Sequence, residues 1–233
     1  MNLHKIFEEY TYSKGIIYSH LEGQYPYELI REEEYVILMT AFDYHFVGGK
    51  VPKNMALFLQ EIIAYIKKHD KDEFVLFAPN KSWREFLEQV IEKLGGVKDA
   101  RFVYQLDPSN FSKKKIEECI IEEVKEEVCK ERLLQANIKK EGKVVSKATA
   151  LMTGDSHVEI DVFTEEAYRR RGYAYKVAST LINEILQRGL VPDWSCWRVK
   201  ESSQALAKKL GYDFKEEVPV YVWVEDLRSK DLL

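Results

Sequence analysis

No stretch of this chain approaches the roughly 20 consecutive apolar residues that a helix needs to cross a bilayer. The N-terminal run MNLHKIFEEYTYSKG also lacks the apolar core of a secretory signal. Together these absences predict a cytoplasmic protein with no membrane partner. Cysteine is scarce. Cys119, Cys129 and Cys196 are odd in number, widely spaced and free of any CxxC or Cys/His pairing. That excludes a disulfide framework, offers no metal site and predicts buried thiols in a reducing compartment. An excess of positive charge is missing too. A net charge of -4 and a pI of about 5.9 argue against the strongly basic face that non-specific nucleic-acid binding requires, and leave room for a local basic cluster. What is present is 45% hydrophobic and 32% charged residue content over 233 residues. That is enough to bury a core and stay soluble, as one large domain or two small ones.

Taken in order, residues 1–34 suggest a short helix and then a strand around Gly15 to Tyr18. Glu34 to Phe46 is rich in β-formers and reads as one strand, broken at Gly48-Gly49. Pro52 suits a helix start, and Met55, Leu59, Ile62, Ile63 and Ile66 give that helix its apolar face. Glu73 to Phe77 is a short buried strand. Ser82 and Glu85 fit a capping box for a helix that Gly95 ends. Arg101 to Leu106 is a further strand. From Ser112 to about Leu133, Ile116, Ile120, Val124 and Val128 recur every fourth residue, which predicts an amphipathic helix with a solvated charged face. Leu134 to Ala150 reads as a hairpin turning at Glu141-Gly142, with a second turn at Thr153 to Ser156.

The most informative stretch is His157 to Tyr175, HVEIDVFTEEAYRRRGYAY. It begins as a strand, passes through three arginines and a glycine, and runs into a helix carrying Ala174, Val177, Ala178, Leu181, Ile182 and Ile185 on one face. A strand that feeds a glycine-containing loop into a helix N-terminus gathers backbone N–H groups where the helix dipole favours anions. The alternative is a basic solvated turn. After Gly189, Val191 to Trp197 is a strand. Ser202 or Ser203 caps a short helix ended by Gly211, and Tyr212 to Phe214 and Val218 to Val224 finish as strand.

The two halves follow the same order of elements. Both second helices end in Lys-Leu-Gly, with glycines 211 − 95 = 116 residues apart, while Gly172 and Gly49 lie 172 − 49 = 123 apart. The chain therefore reads as tandem copies of one α/β unit, 1–111 and 112–233, the first having lost its arginine-glycine loop.

Arg169-Arg170-Arg171-Gly172-Tyr173-Ala174 resembles the coenzyme A loop of the GNAT superfamily of N-acetyltransferases, Gln/Arg-x-x-Gly-x-Gly/Ala. RGLVPDWSCW followed by SSQALAKKLGY is similar to the branch that includes zwittermicin-type resistance acetyltransferases, in which a modified half precedes the active one. The resemblance covers most of the chain and is specific in its C-terminal part. It implies a mixed-sheet α/β (α+β) GNAT fold, with a degenerate N-terminal half walling the acceptor pocket. It also implies acetyl-CoA as co-substrate without a metal, a small-molecule amine as acceptor, and a monomer or homodimer. A non-catalytic acyl-CoA-binding module is the alternative.

On that resemblance, Arg169, Arg170, Arg171, Gly172, Tyr173, Ala174 and Tyr175 would wrap the pyrophosphate. Val162, Phe163 and Thr164 would hydrogen-bond the pantetheine arm, with an N–H near Phe163 facing the thioester oxygen. Glu159, and after it Asp161, would take the proton of an ammonium whose pKa lies near about 10.4. Both carboxylates face one side of their strand. The family's usual tyrosine acid falls on Ala207, which leaves Ser203 or Tyr212 as donors to the thiolate, and Lys200 replaces a frequent asparagine. Cys196 reads as a core thiol rather than a nucleophile. Asp43, His45 and His157 lack a third ligand for a metal.

Overall fold

A computed structural model describes residues 2–69, 73–109, 111 and 116–224. In chain order the elements are α1 (Leu3–Phe7), α2 (Lys14–Leu21), β1 (Tyr27–Arg31), β2 (Tyr35–Thr40), β3 (Tyr44–Gly49), α3 (Met55–His69), β4 (Glu73–Phe77), α4 (Lys81–Leu94), β5 (Val97–Leu106), β6 (Ile120–Lys125), β7 (Arg132–Lys140), β8 (Lys143–Gly154) and β9 (His157–Thr164). They continue with a 3-10 turn at Glu166–Tyr168, α5 (Tyr173–Gln187), β10 (Val191–Trp197), α6 (Glu201–Lys209) and β11 (Tyr212–Val224). Parallel and antiparallel pairs are mixed, as an α/β reading with a mixed sheet requires.

Two compact units emerge, and they do not follow the expected cut between residues 111 and 112. One is built on the chain up to Thr11, Pro26–Arg101 and the chain from Val218; the other on Tyr12–Tyr25 and Phe102–Glu217. The cause is non-local pairing. Val220–Val224 of β11 pairs antiparallel with β4, so the strand's C-terminal part joins the first unit, while Tyr212–Glu217 stays in the second. The outer part of β5 and the segment holding α2 join the second.

In the first unit the strand order is β1-β2-β3-β4-β11. β3 and β4 are parallel, joined through α3. Its core packs Phe58, Ile62, Trp83, Phe86, Leu87 and Val90 of α3 and α4 onto Ile37, Val47, Phe74 and Leu76. In the second unit the order is β5-β10-β9-β8-β7-β6. There Val177, Ala178, Leu181, Ile182 and Ile185 of α5 pack onto Ala136, Ile138, Ala148, Val158 and Trp194.

Several local expectations change. Glu34 to Phe46 is a hairpin rather than one strand. Thr40 Oγ1 donates to the Tyr44 carbonyl at 2.7 Å and accepts from the Phe42 N–H at 3.2 Å, which fixes a turn at Ala41–Asp43. Gly15 to Tyr18 lies in α2, not in a strand. α3 begins at Met55 and not at Pro52, with Asn54 Oδ1 accepting from Leu57 N. Asn80, not Ser82, caps α4 by accepting from Trp83 N at 3.1 Å. The charged segment expected as a helix holds β6 instead; its opening residues, 112–115, lie outside the described residues. Ile120–Lys125 pairs with Arg132–Asn137 over six positions, and a charged outer face suits an edge strand as well as it suits a helix. The turns at Glu141-Gly142 and Asp155-Ser156 form as expected, with positive φ at all four residues.

Candidate active site

β9 alternates cleanly. Val158, Ile160 and Val162 pack into the core beneath α5, which sends Glu159, Asp161 and Phe163 to the opposite face. α2 covers the start of that face. A Cβ placed on Gly15 would stand 3.0 Å from Glu159 N, 3.1 Å from Met152 O and 3.2 Å from His157 O, so the helix approaches the strands to backbone distance. Beyond α2, Asp161 and Phe163 are exposed, while Glu159 is half-buried.

β9 and β10 pair in parallel at only three positions, Val191 with His157, Pro192 with Val158 and Asp193 with Glu159. Both strands then continue, to Thr164 and Trp197, without pairing to each other. The result is a fork opening just past Glu159. One edge of the β9 tip is taken by β8, where Ala148, Lys147 and Ser146 face Val162, Phe163 and Thr164. Ser146 Oγ lies 3.2 Å from the Phe163 carbonyl and 2.8 Å from Thr164 Oγ1. The other edge faces the fork, and an extended amide-bearing chain could add there as a strand.

The arginine loop follows at once. Glu165 N donates to Val145 O at 3.0 Å, anchoring the 3-10 turn. Arg170 and Gly172 take positive φ, 60° and 76°, so the chain doubles back into α5. Residues 169–172 are all exposed, while Tyr173, Ala174 and Tyr175 are half-buried. No side chain caps α5 and its first turn holds no acid, which leaves the first-turn amides for an anion.

The three arginines are not equivalent. Arg169 Nε donates to the Thr164 carbonyl at 3.2 Å and braces the strand end. Arg171 lies over the Tyr168 ring at 5.2 Å, and Tyr168 stacks with Tyr173 at 6.5 Å. Lys140 and Lys176 flank the Tyr173 ring, each 5.5 Å from its centroid. Glu118 bridges both lysines, which hold its carboxyl below the usual range, Lys140 foremost.

Ser203 does not cap α6. Lys200 is its N-cap residue, and Ser203 Oγ accepts from Trp194 Nε1 at 3.2 Å. Ala207 is fully buried. Tyr212 is buried with its hydroxyl donating to the Pro192 carbonyl at 3.1 Å. Burial, then Asp193 and Glu159, pushes that hydroxyl well above its ordinary value. Cys196 is buried in the α5 core and His45 against Phe74. Among the described residues, no group of three His, Cys, Asp or Glu side chains could hold a metal ion, and no helix is long and apolar enough to cross a membrane. The sequence pattern missed two contributors. One is α2, whose position over Glu159 leaves no local signal. The other is the His157–Asp193 pair, 36 residues apart in the chain, with Nδ1 3.0 Å from each carboxylate oxygen.

Residues 134–221, which contain every candidate site residue, match the GNAT acetyltransferase family. An uncharacterised N-acetyltransferase of Bacillus subtilis (strain 168), YdfB, is 41% identical over 78 residues, covering 34% of this chain and 30% of that protein. The match thus spans less than a third of this curated relative. Among solved structures, a GCN5-related N-acetyltransferase-like protein from Streptococcus suis 89/1591 aligns with a TM-score of 0.69 at 21% identity, over 95% of this chain and 96% of that one. A GCN5-related N-acetyltransferase from Kribbella flavida aligns with a TM-score of 0.62 at 13% identity, over 91% and 95%. The region from Leu134 to Tyr221 is therefore similar to the GNAT acetyltransferase family, and nearly the whole chain shares the fold of solved GNAT proteins.

Proposed function

We propose that this protein transfers an acetyl group from acetyl-CoA to the amine of a small molecule. One observation carries the reading above the rest: a strand pair that parts just past Glu159 while the outgoing strand ends on an uncapped helix N-terminus. A thioester with a pantetheine arm and a pyrophosphate fits that sequence of features, arm in the fork and diphosphate on the amides. The amides from Arg170 to Tyr175 take the diphosphate, with Arg170 and Arg171 adding charge-assisted contacts. Val162, Phe163 and Thr164 hold the arm. Glu159 takes the ammonium proton, Asp161 being the second choice because it is exposed. The amine nitrogen bonds to the acetyl carbon as the C–S bond breaks, and the thiolate picks up a proton on leaving. Burial and its bond to Pro192 make Tyr212 a poor donor for that proton, so water is the better one. The C-terminal motifs favour the zwittermicin-type branch.

Two measurements test this. Coenzyme A should raise the melting temperature, since a ligand that binds only the folded state stabilises it. Acetyl-CoA with a panel of primary amines should release free thiol. Arg171→Glu should weaken coenzyme A binding by about tenfold or more, through charge reversal beside the diphosphate. Unchanged affinity would remove the diphosphate from this corner. Stabilisation without thiol release would select the acyl-CoA-binding module instead.

A further inference from the structure

At the closed end of the fork lies a titratable pair that the reading above leaves idle. His157 opens β9, and its Nδ1 lies 3.0 Å from both oxygens of Asp193 on β10. Both side chains keep about a quarter of their surface open, 25% and 23%. Asp193 stands across from Glu159 at the last paired position. Parallel strands in register carry such neighbours on one face, about 4.8 Å apart at the backbone. His157 precedes Glu159 by two residues and so shares that face. Gly15 of α2 closes over the same backbone. Two adjacent carboxylates oppose each other's ionisation, and a histidine bound to one of them relieves the conflict.

We infer that His157 and Asp193 are positioning residues for Glu159, a pair that sets the charge beside the base and carries its proton to solvent. The inference rests on Glu159 being the base. The protons balance with solvent, since an ammonium gives up two on becoming an amide. The first passes to the Glu159 carboxylate as an N–H bond breaks, and the freed lone pair forms the bond to the acetyl carbon as the C–S bond breaks. The second leaves the nitrogen of the adduct through water, matching the proton that the departing thiolate takes up. Facing a carboxylate, Nδ1 carries the ring hydrogen, which leaves Nε2 as acceptor. The protonated Glu159 then gives its proton to Nε2, and the imidazolium, held by Asp193, returns it to water through its exposed edge. Nothing is oxidised or reduced.

The surrounding charges are accounted for element by element. α2 brings Lys14, held 3.2 Å from Asp155, and His20, which burial pulls down to about 4. It also brings Glu22, which accepts from Asp155 N at 3.1 Å. β8 places Met152 beside Glu159. β11 brings the Tyr212 hydroxyl, bound to the Pro192 carbonyl. β9 itself carries Asp161 on the same face.

The test follows the His157 ring by NMR across pH in the whole protein, in the wild type and in the isosteric variants Glu159→Gln and Asp193→Asn. Each substitution removes a negative charge that favours imidazolium, so each should lower the His157 midpoint. Asp193→Asn, at the residue in contact with the ring, should have the larger effect, and Glu159→Gln a smaller, resolvable one. A midpoint that Glu159→Gln leaves unmoved overturns the inference. This titration needs no turnover, so its failure is distinct from failure of the acetyltransferase reading. The second measurement is the pH profile of thiol release from acetyl-CoA with a primary alkylamine as probe. His157→Gln should move its acid limb to higher pH, because the base then loses a neighbouring cation. A limb in its original place overturns the inference as well.

Discussion

His20 is fully buried on α2, with Nδ1 2.7 Å from the Ile16 carbonyl and its ring stacked on Tyr25 at 5.4 Å. Burial is the larger influence and pulls its pKa from 6.5 down to about 4, against the opposing pull of the Ile16 carbonyl. The sign of the consequence follows directly. The folded state resists the proton and the unfolded state accepts it near 6.5, so protons favour unfolding between those values. Stability is full above about 6.5 and falls as pH drops toward 4, by roughly 3 kcal/mol if the whole shift is realised. Because α2 covers the Glu159 face, acid should loosen that face first. Urea midpoints measured from pH 7 to pH 4 should fall steeply in the wild type and less steeply in His20→Gln. Equal slopes would show that other groups dominate acid unfolding. Nothing in the sequence announced this residue. The placement of Glu159 on a strand and of the arginines in the turn before α5 was legible because strand alternation and the loop sequence are local. His20 and the His157–Asp193 pair act through neighbours that only folding supplies.

Helices and strands with their own punctuation were the readable elements. α4 and α5 follow their apolar stripes, and the two hairpin turns their positive-φ residues. β6 was misread because an isoleucine or valine every fourth residue also satisfies one face of an edge strand, and pairing with β7 decides the matter. α2 was misread because Gly15 and the β-branched Ile16 and Ile17 weaken its helix signal. The glycine is there for approach, and its counterpart in the loop serves another purpose. In Gly15→Ala, better helix propensity is worth up to about 1 kcal/mol. The added methyl crowds three strand backbone atoms that no rotamer change can move, at about 1–3 kcal/mol, so crowding wins. The melting temperature should drop by a few degrees, at about 2–4 °C per kcal/mol for a chain of this size. Gly172 has no atom within 4 Å of an added Cβ but holds φ at 76°. Gly172→Ala should therefore cost only about 1–2 kcal/mol of stability. It should also weaken coenzyme A binding, because the methyl stands where the main chain must approach the diphosphate. Loss of stability without loss of binding would move the diphosphate elsewhere.

Across the whole molecule the order of elements repeats. β2, β3, α3, β4, α4 and β5 recur as β8, β9, α5, β10, α6 and β11, with the second and third strands of each set parallel. The shared Lys-Leu-Gly endings made that repeated order legible. The membership of the C-terminal part of β11 in the first unit was not, since its partner strand lies more than a hundred residues away. The two sets differ just beyond their parallel strand pairs. β3 and β4 pair from Tyr44 to Phe46, and the place just beyond, where β9 and β10 part, is closed in the first unit. The Tyr10 hydroxyl lies 2.8 Å from both the Val47 and the Phe77 carbonyls and shares its one proton across the two strands. An added Cβ on Gly48 would meet Ile6 at 2.5 Å, so α1 seals the same place from above. A thioester arm cannot enter without expelling a fully buried tyrosine. Calorimetry should therefore find close to one coenzyme A per chain, not two. Tyr10→Phe removes the hydroxyl that bridges the two strands and should cost about 1–3 kcal/mol of stability. Stoichiometry and affinity should stay as they are in that variant, because the ring still fills the fork. A second equivalent bound by the wild type would mean that the first copy has kept its ligand, and the closed fork would then have to open on binding.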